Sequence, residues 1–89
     1  MLYHQIQFTK DFARQFKKLK STQQTRFYER LELFKNNPSD RVLRDHALKG
    51  NYIGYRSIDI QGDLRALYYI QNDKIIIFAL IGTHSQLYR

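Results

Sequence analysis

Polar and apolar side chains alternate over residues 3–8, and a period of two predicts a short strand. At Thr9 the period changes. Its hydroxyl can accept from the free amides of a first helical turn, and Phe12, Phe16 and Leu19 follow at i, i+4 and i+7, the spacing of one amphipathic helix face. Ser21 with Gln24 three residues later has the form of a capping box, and Phe27, Leu31 and Phe34 repeat the helical spacing until Asn36-Asn37-Pro38 halts the chain. A helix hairpin laid on a sheet is therefore expected. Residues 38–54 have no period, and so long a loop in a small domain is usually functional. Three strand-like runs follow at 55–60, 64–71 and 74–81. Gln61-Gly62 and Asn72-Asp73 between them are the residue types that tight hairpin turns require, so an antiparallel meander is expected. Ile75-Ile76-Ile77-Phe78 is apolar on both parities, which predicts a strand covered on both faces.

Length adds that these elements make one domain over residues 1–89, with no room for a second. With 43% hydrophobic and 15% aromatic residues the chain has enough apolar material to fold. Charge changes the picture more. Fifteen Lys and Arg against eight Asp and Glu give +7, a surface that attracts polyanions. The excess is uneven: residues 1–49 carry eleven basic and five acidic side chains, residues 50–89 four and three. No cysteine is present, so neither a disulfide framework nor a thiolate metal site is expected. No signal-peptide pattern opens the sequence and no apolar run approaches the roughly 20 residues that span a bilayer, so a cytoplasmic protein without membrane contact is expected.

Imidazole titrates near neutrality without help, which makes His4, His46 and His84 the acid–base candidates. His4 stands in a plain strand context. His46 and His84 lie beside backbone punctuation, in Asp45-His46-Ala47-Leu48-Lys49-Gly50 and Gly82-Thr83-His84-Ser85. Asp59 and Asp63 flank the first hairpin turn, where a carboxylate can orient an imidazole or take a proton, although Asp is also an ordinary turn residue. Lys49, Arg56 and Arg65 lie in or beside the same strands and can offset charge on a phosphate. Lys10, Arg14, Lys17, Lys18 and Lys20 form a basic helix, either a solvated face or a phosphate-contacting one, and Tyr88 can stack on a base or close the core. The histidines are too far apart in sequence for a metal motif, and no cofactor-binding loop is present.

The succession Asp45-His46-Ala47-Leu48-Lys49-Gly50, Gly54-Tyr55-Arg56, Asp63, and Gly82-Thr83-His84-Ser85-Gln86-Leu87-Tyr88 resembles the YafQ-like branch of the RelE/ParE superfamily of bacterial toxins. Those toxins show an Asp-His-x-Leu-x-Gly loop, a Gly-Tyr-Arg strand start and a terminal Gly-Thr-His-x-x-Leu-aromatic motif. The resemblance covers essentially the whole chain and implies an α+β fold: an N-terminal strand, a two-helix hairpin, and a three-stranded antiparallel meander in a curved sheet with helices on one face. It also implies the toxin of a type II toxin–antitoxin pair, an endoribonuclease that cleaves messenger RNA on the ribosome and is restrained by a cognate antitoxin. The implied chemistry needs no metal or cofactor: a ribose 2′-oxygen attacks the adjacent phosphorus.

By motif position His46 and His84 match acid–base histidines, Asp63 an active-site carboxylate and Tyr88 a substrate-facing aromatic. Lys49 and Arg56 join them on charge alone. One departure stands out: YafQ-like toxins commonly have a further histidine where this chain has Asp59, and a carboxylate is a poor proton donor near neutral pH. Arg65, in Gly62-Asp63-Leu64-Arg65, is similar to a strand arginine of the RelE branch. Two alternatives share the fold: a ParE-like inhibitor of DNA gyrase without nuclease chemistry, and an inactive RNA-binding homologue.

Overall fold

A computed structural model describes residues 5–88. The strand expected at 3–8 is described as β1 (Gln5–Phe8), and Tyr3 and His4 lie outside the described residues. Helix α1 (Lys10–Lys17) is capped by Thr9, whose Oγ1 accepts from the Phe12 N–H at 3.0 Å and donates to the Ala79 carbonyl at 2.7 Å. One hydroxyl thus starts the helix and ties it to the sheet.

Helix α2 (Ser21–Asn36) begins one residue earlier than the capping-box reading implies: the Lys20 N–H donates to Gln23 Oε1 at 3.0 Å. Gln24 does not cap. It donates instead to the Phe16 carbonyl at 2.9 Å and joins the ends of the two helices.

The loop expected at 38–54 holds two 3₁₀ turns, Arg41–Leu43 and Gly50–Tyr52, and between them a strand, β2 (His46–Ala47). Two residues are too few for a period to show. Strands β3 (Arg56–Gln61), β4 (Leu64–Gln71) and β5 (Ile75–Thr83) form the expected meander. The first turn is Gly62-Asp63 rather than Gln61-Gly62, because Gln61 still pairs with Leu64 and the positive φ falls on Gly62. Asn72 and Asp73 both have positive φ, as a primed turn demands. The sheet has five strands in the order β1-β5-β4-β3-β2, with β1 parallel to β5.

Side chains on alternate positions separate the two faces. Ile58, Ile60, Leu64, Ala66, Tyr68, Ile76, Phe78 and Ile81 face the helices and pack with Phe12, Phe27, Leu31 and Phe34 in the core. Ser57, Asp59, Arg65, Leu67, Tyr69, Leu80 and Gly82 have the opposite parity or are their cross-strand partners. Register shifts between Asp59 and Gln61 and between Leu67 and Tyr68 mark bulges, which add twist and curve the sheet. Among the described residues no helix is long and apolar enough to cross a membrane.

Candidate active site on the sheet face opposite the helices

β5 leads directly into a one-turn helix, α3 (His84–Leu87), whose four residues are too few to show a helical period in the sequence. Thr83 caps it reciprocally with Gln86: Thr83 Oγ1 accepts from the Gln86 N–H at 3.3 Å, and Gln86 Oε1 accepts from the Thr83 N–H at 2.8 Å. Gly82 allows the turn to lie on the sheet, since a Cβ there would meet Gln86 Oε1 at 3.0 Å and Leu87 Cδ2 at 3.5 Å. Gly82 pairs with Arg65, so α3 covers the face that carries Arg65. The His84 N–H lies 3.2 Å from both the Asp63 carbonyl and Asp63 Oδ2, which fixes the histidine against the β3–β4 turn.

A row of alternating charge crosses this face. Asp63 Oδ1 is 4.0 Å from Arg65 Nη2, Arg65 Nε is 3.4 Å from Asp59 Oδ1, and Asp59 Oδ2 is 3.6 Å from Arg44 Nε. Arg65 Nε is buried without a hydrogen-bond partner, so its interaction with Asp59 is an ion pair of imperfect geometry. At the far end, His46 Nδ1 lies 2.7 Å from the Arg44 carbonyl. His46 pairs with Ser57 across β2 and β3, which puts its side chain on the face of Ser57 and Asp59. His84 and His46 therefore stand at the two ends of one polar row on one face.

Aromatic rings border the row. Tyr69 meets Tyr55 (5.4 Å between centroids), Tyr55 meets Tyr52 (5.9 Å), Tyr52 meets Tyr88 (5.2 Å) and Tyr88 meets the His84 ring (4.6 Å). The Tyr52 hydroxyl donates to the Leu87 carbonyl at 2.6 Å, which clamps α3 to the loop. Burial raises the Tyr88 hydroxyl above its ordinary pKa, and the nearby Arg65 guanidinium opposes that rise.

The structure thus gathers His46, His84, Asp59, Asp63, Arg65 and Tyr88. It separates others. Arg56 has the parity of Ile58, faces the helix side and gives its Nε to Asp45 Oδ1 at 3.0 Å, and the Tyr68 hydroxyl donates to the other Asp45 oxygen at 2.7 Å. Lys17 borders an apolar groove with Phe16 and Tyr28 in the helical layer; Lys18 is exposed at the same end of α1. Lys49 is exposed at the start of the 50–52 turn. Residues missed in the sequence are Arg44, Tyr52, Tyr55 and Tyr69. Tyr55 stood in a motif read for its arginine, and the others carry no motif. No cluster of three or more His, Cys, Asp or Glu that could hold a metal occurs among the described residues.

Comparison with known proteins bears on the family and the fold. Over 82 residues, 92% of this chain and 88% of the relative, the sequence is 29% identical to the mRNA interferase toxin YafQ of Escherichia coli strain K12. A chain of the crystal structure of the E. coli DinJ–YafQ toxin–antitoxin complex superposes with a TM-score of 0.78 at 22% identity, covering 100% of each chain. The YoeB/ParE toxin from Agrobacterium tumefaciens gives 0.74 at 15% identity, covering 91% of this chain and 99% of its own. At those identities the two structures speak for the fold alone. The family model described as the bacterial toxin YafQ of type II toxin–antitoxin systems matches residues 4–89, and the chain accordingly belongs to the YafQ toxin family.

Proposed function

We propose that this protein is the toxin of a type II toxin–antitoxin pair and cleaves messenger RNA by metal-free acid–base chemistry on the sheet face opposite the helices. The observation that carries the proposal is the placing of both motif histidines at the ends of the Asp63–Arg65–Asp59–Arg44 row.

A carbonyl oxygen only accepts, so the Arg44 carbonyl requires a hydrogen on His46 Nδ1; the neutral ring then has its free lone pair on Nε2. That nitrogen is suited to take the proton of a ribose 2′-hydroxyl. The 2′-oxygen bonds to the adjacent phosphorus, the bond to the 5′-oxygen breaks, and His84 returns a proton to the leaving oxygen, giving a cyclic phosphate and a 5′-hydroxyl. Arg65 and Arg44 offset the charge that builds on the phosphoryl oxygens. The backbones of β2 and β5 are three strand spacings apart, roughly 14 Å, so the two imidazoles must reach toward one phosphodiester from opposite sides. Tyr88 and its aromatic neighbours offer stacking surfaces for bases.

The relatives named as mRNA interferases, and the DinJ–YafQ complex, support messenger RNA as substrate and an antitoxin as partner. Cleavage on the ribosome in the cytoplasm belongs to the same proposal, and the antitoxin is expected to bring an acidic segment to the +7 surface. The test is expression of the chain in bacteria with mapping of RNA 5′ ends. Wild type should arrest growth and leave new 5′-hydroxyl ends, and His46→Ala or His84→Ala should each lower cleavage about 10²- to 10⁴-fold without a large loss in melting temperature. Growth arrest with intact RNA and inhibited supercoiling would replace this reading by the gyrase one, and neither effect would leave an inactive homologue.

A further inference from the structure

Beside the charge row, around the edge of β2, the loop from Pro38 and the start of β3 enclose a polar cleft of about 360 Å³. Arg41, Arg44 and Arg56 line it together with Asp40 and Asp45. Asp45 is paired within the fold by Arg56 and Tyr68, and Asp40 gives one oxygen to the Val42 N–H at 2.9 Å, so the three arginines still outnumber the charge of the two carboxylates. Arg56 is neutralised by that pairing. Arg41 makes no ion pair among the described residues, and Arg44 touches only Asp59, through Nε at 3.6 Å, with its side chain 69% exposed. Two exposed guanidinium groups thus line the cleft without a close carboxylate partner in it, and their planar donor geometry suits a phosphate.

The backbone adds a second observation. Arg44 closes the 3₁₀ turn with its N–H on the Arg41 carbonyl at 3.1 Å and has φ 46°, a left-handed conformation that is unfavourable for a non-glycine residue. Glycine or asparagine would be cheaper there, yet the position holds a long cation that reaches from the charge row to the cleft.

We propose that this cleft binds the RNA phosphate adjoining the scissile one, with Arg41 and Arg44 as its ligands. The inference rests on the RNA-cleavage reading. It favours RNA over an acidic protein segment because the cleft continues the row that ends in the two histidines. Arg44 serves both places: its carbonyl orients His46, and its guanidinium leads the strand round the β2 edge.

The test uses the full chain with His84→Ala to prevent cleavage, and a short single-stranded RNA titrated at several salt concentrations. Adding Arg41→Ala with Arg44→Gly removes both cations and keeps a residue that tolerates the positive φ, so the melting temperature should hold or rise. RNA affinity should fall about tenfold or more at low salt, and the slope of log K against log salt should drop by about 0.7, the value for one phosphate contact on a single strand. Arg41→Lys with Arg44→Lys should keep most of the slope. In the His84-intact background Arg41→Ala alone should raise KM for RNA far more than it lowers kcat. Unchanged affinity and slope would overturn the subsite while leaving RNA cleavage intact. Loss of binding to an acidic antitoxin peptide with RNA affinity unchanged would overturn it in favour of a protein partner. If the His84→Ala protein binds no RNA and wild type cleaves none, the functional reading falls and the subsite with it.

Discussion

Asp59 occupies the middle of the charge row, one oxygen 3.4 Å from Arg65 Nε and the other 3.6 Å from Arg44 Nε, with its side chain 18% exposed. The sequence offered it as a catalytic carboxylate standing where a family histidine is common. Its geometry favours a positioning role, because each oxygen lies against a guanidinium group. Without its charge, two guanidiniums held across it repel each other, and one of them, Arg65, has its Nε buried. Asp59→Asn preserves shape and removes that charge. It should cost about 1–3 kcal/mol of stability and lower RNA cleavage at least tenfold, read by thermal melts beside cleavage rates. Full activity in the variant would show that the carboxylate does not hold the arginines. Arg44, the partner missed in the sequence, was illegible there because one arginine among fifteen basic residues carries no spacing signal.

α3 shows how a short motif acts as an element. In Gly82-Thr83-His84 the glycine lets the turn approach β5, the threonine caps it, and the histidine amide binds Asp63 on the neighbouring hairpin. The motif was legible as a site but not as a helix, since four residues are held by caps and contacts rather than by propensity. Gly82→Val would push β-branched carbons into Gln86 and Leu87, lift the turn and carry His84 and Tyr88 with it. Cleavage should fall about a hundredfold, the scale of a 1 Å misplacement at a reacting group, while strand content by circular dichroism stays unchanged. A fully active variant would mean that α3 need not sit where it does.

Across the whole molecule, the segment from Pro38 to Gly54 is joined to the core through Asp45, which receives Arg56 and the nearly buried Tyr68. Burial first, and the Asp45 carboxylate second, raise the Tyr68 hydroxyl well above its ordinary pKa of 10.0. The folded state therefore holds that proton more tightly than the unfolded one. Its stabilisation is complete below the unfolded pKa and is lost as pH rises from about 10 toward the folded value. Tyr68→Phe should cost about 1.5–3 kcal/mol near neutrality and flatten the decline in stability above pH 10, measured by urea melts at several pH values. An equally steep decline in the variant would assign the effect to other groups.

Local chemistry was enough to specify the helices, the three long strands and the two histidine motifs, because periodicity, caps and turn residues are written within a few positions of one another. Parity along β3 even separates Arg56 from Asp59 once a strand is assumed. Pairing is a different matter. That β1 lies parallel to β5, that two residues at His46–Ala47 extend the sheet, and that four tyrosines from distant segments meet beside α3 depend on contacts between residues up to 70 positions apart. Such contacts are set by packing and register, which no local window contains, and they turn two separate imidazoles into a single face.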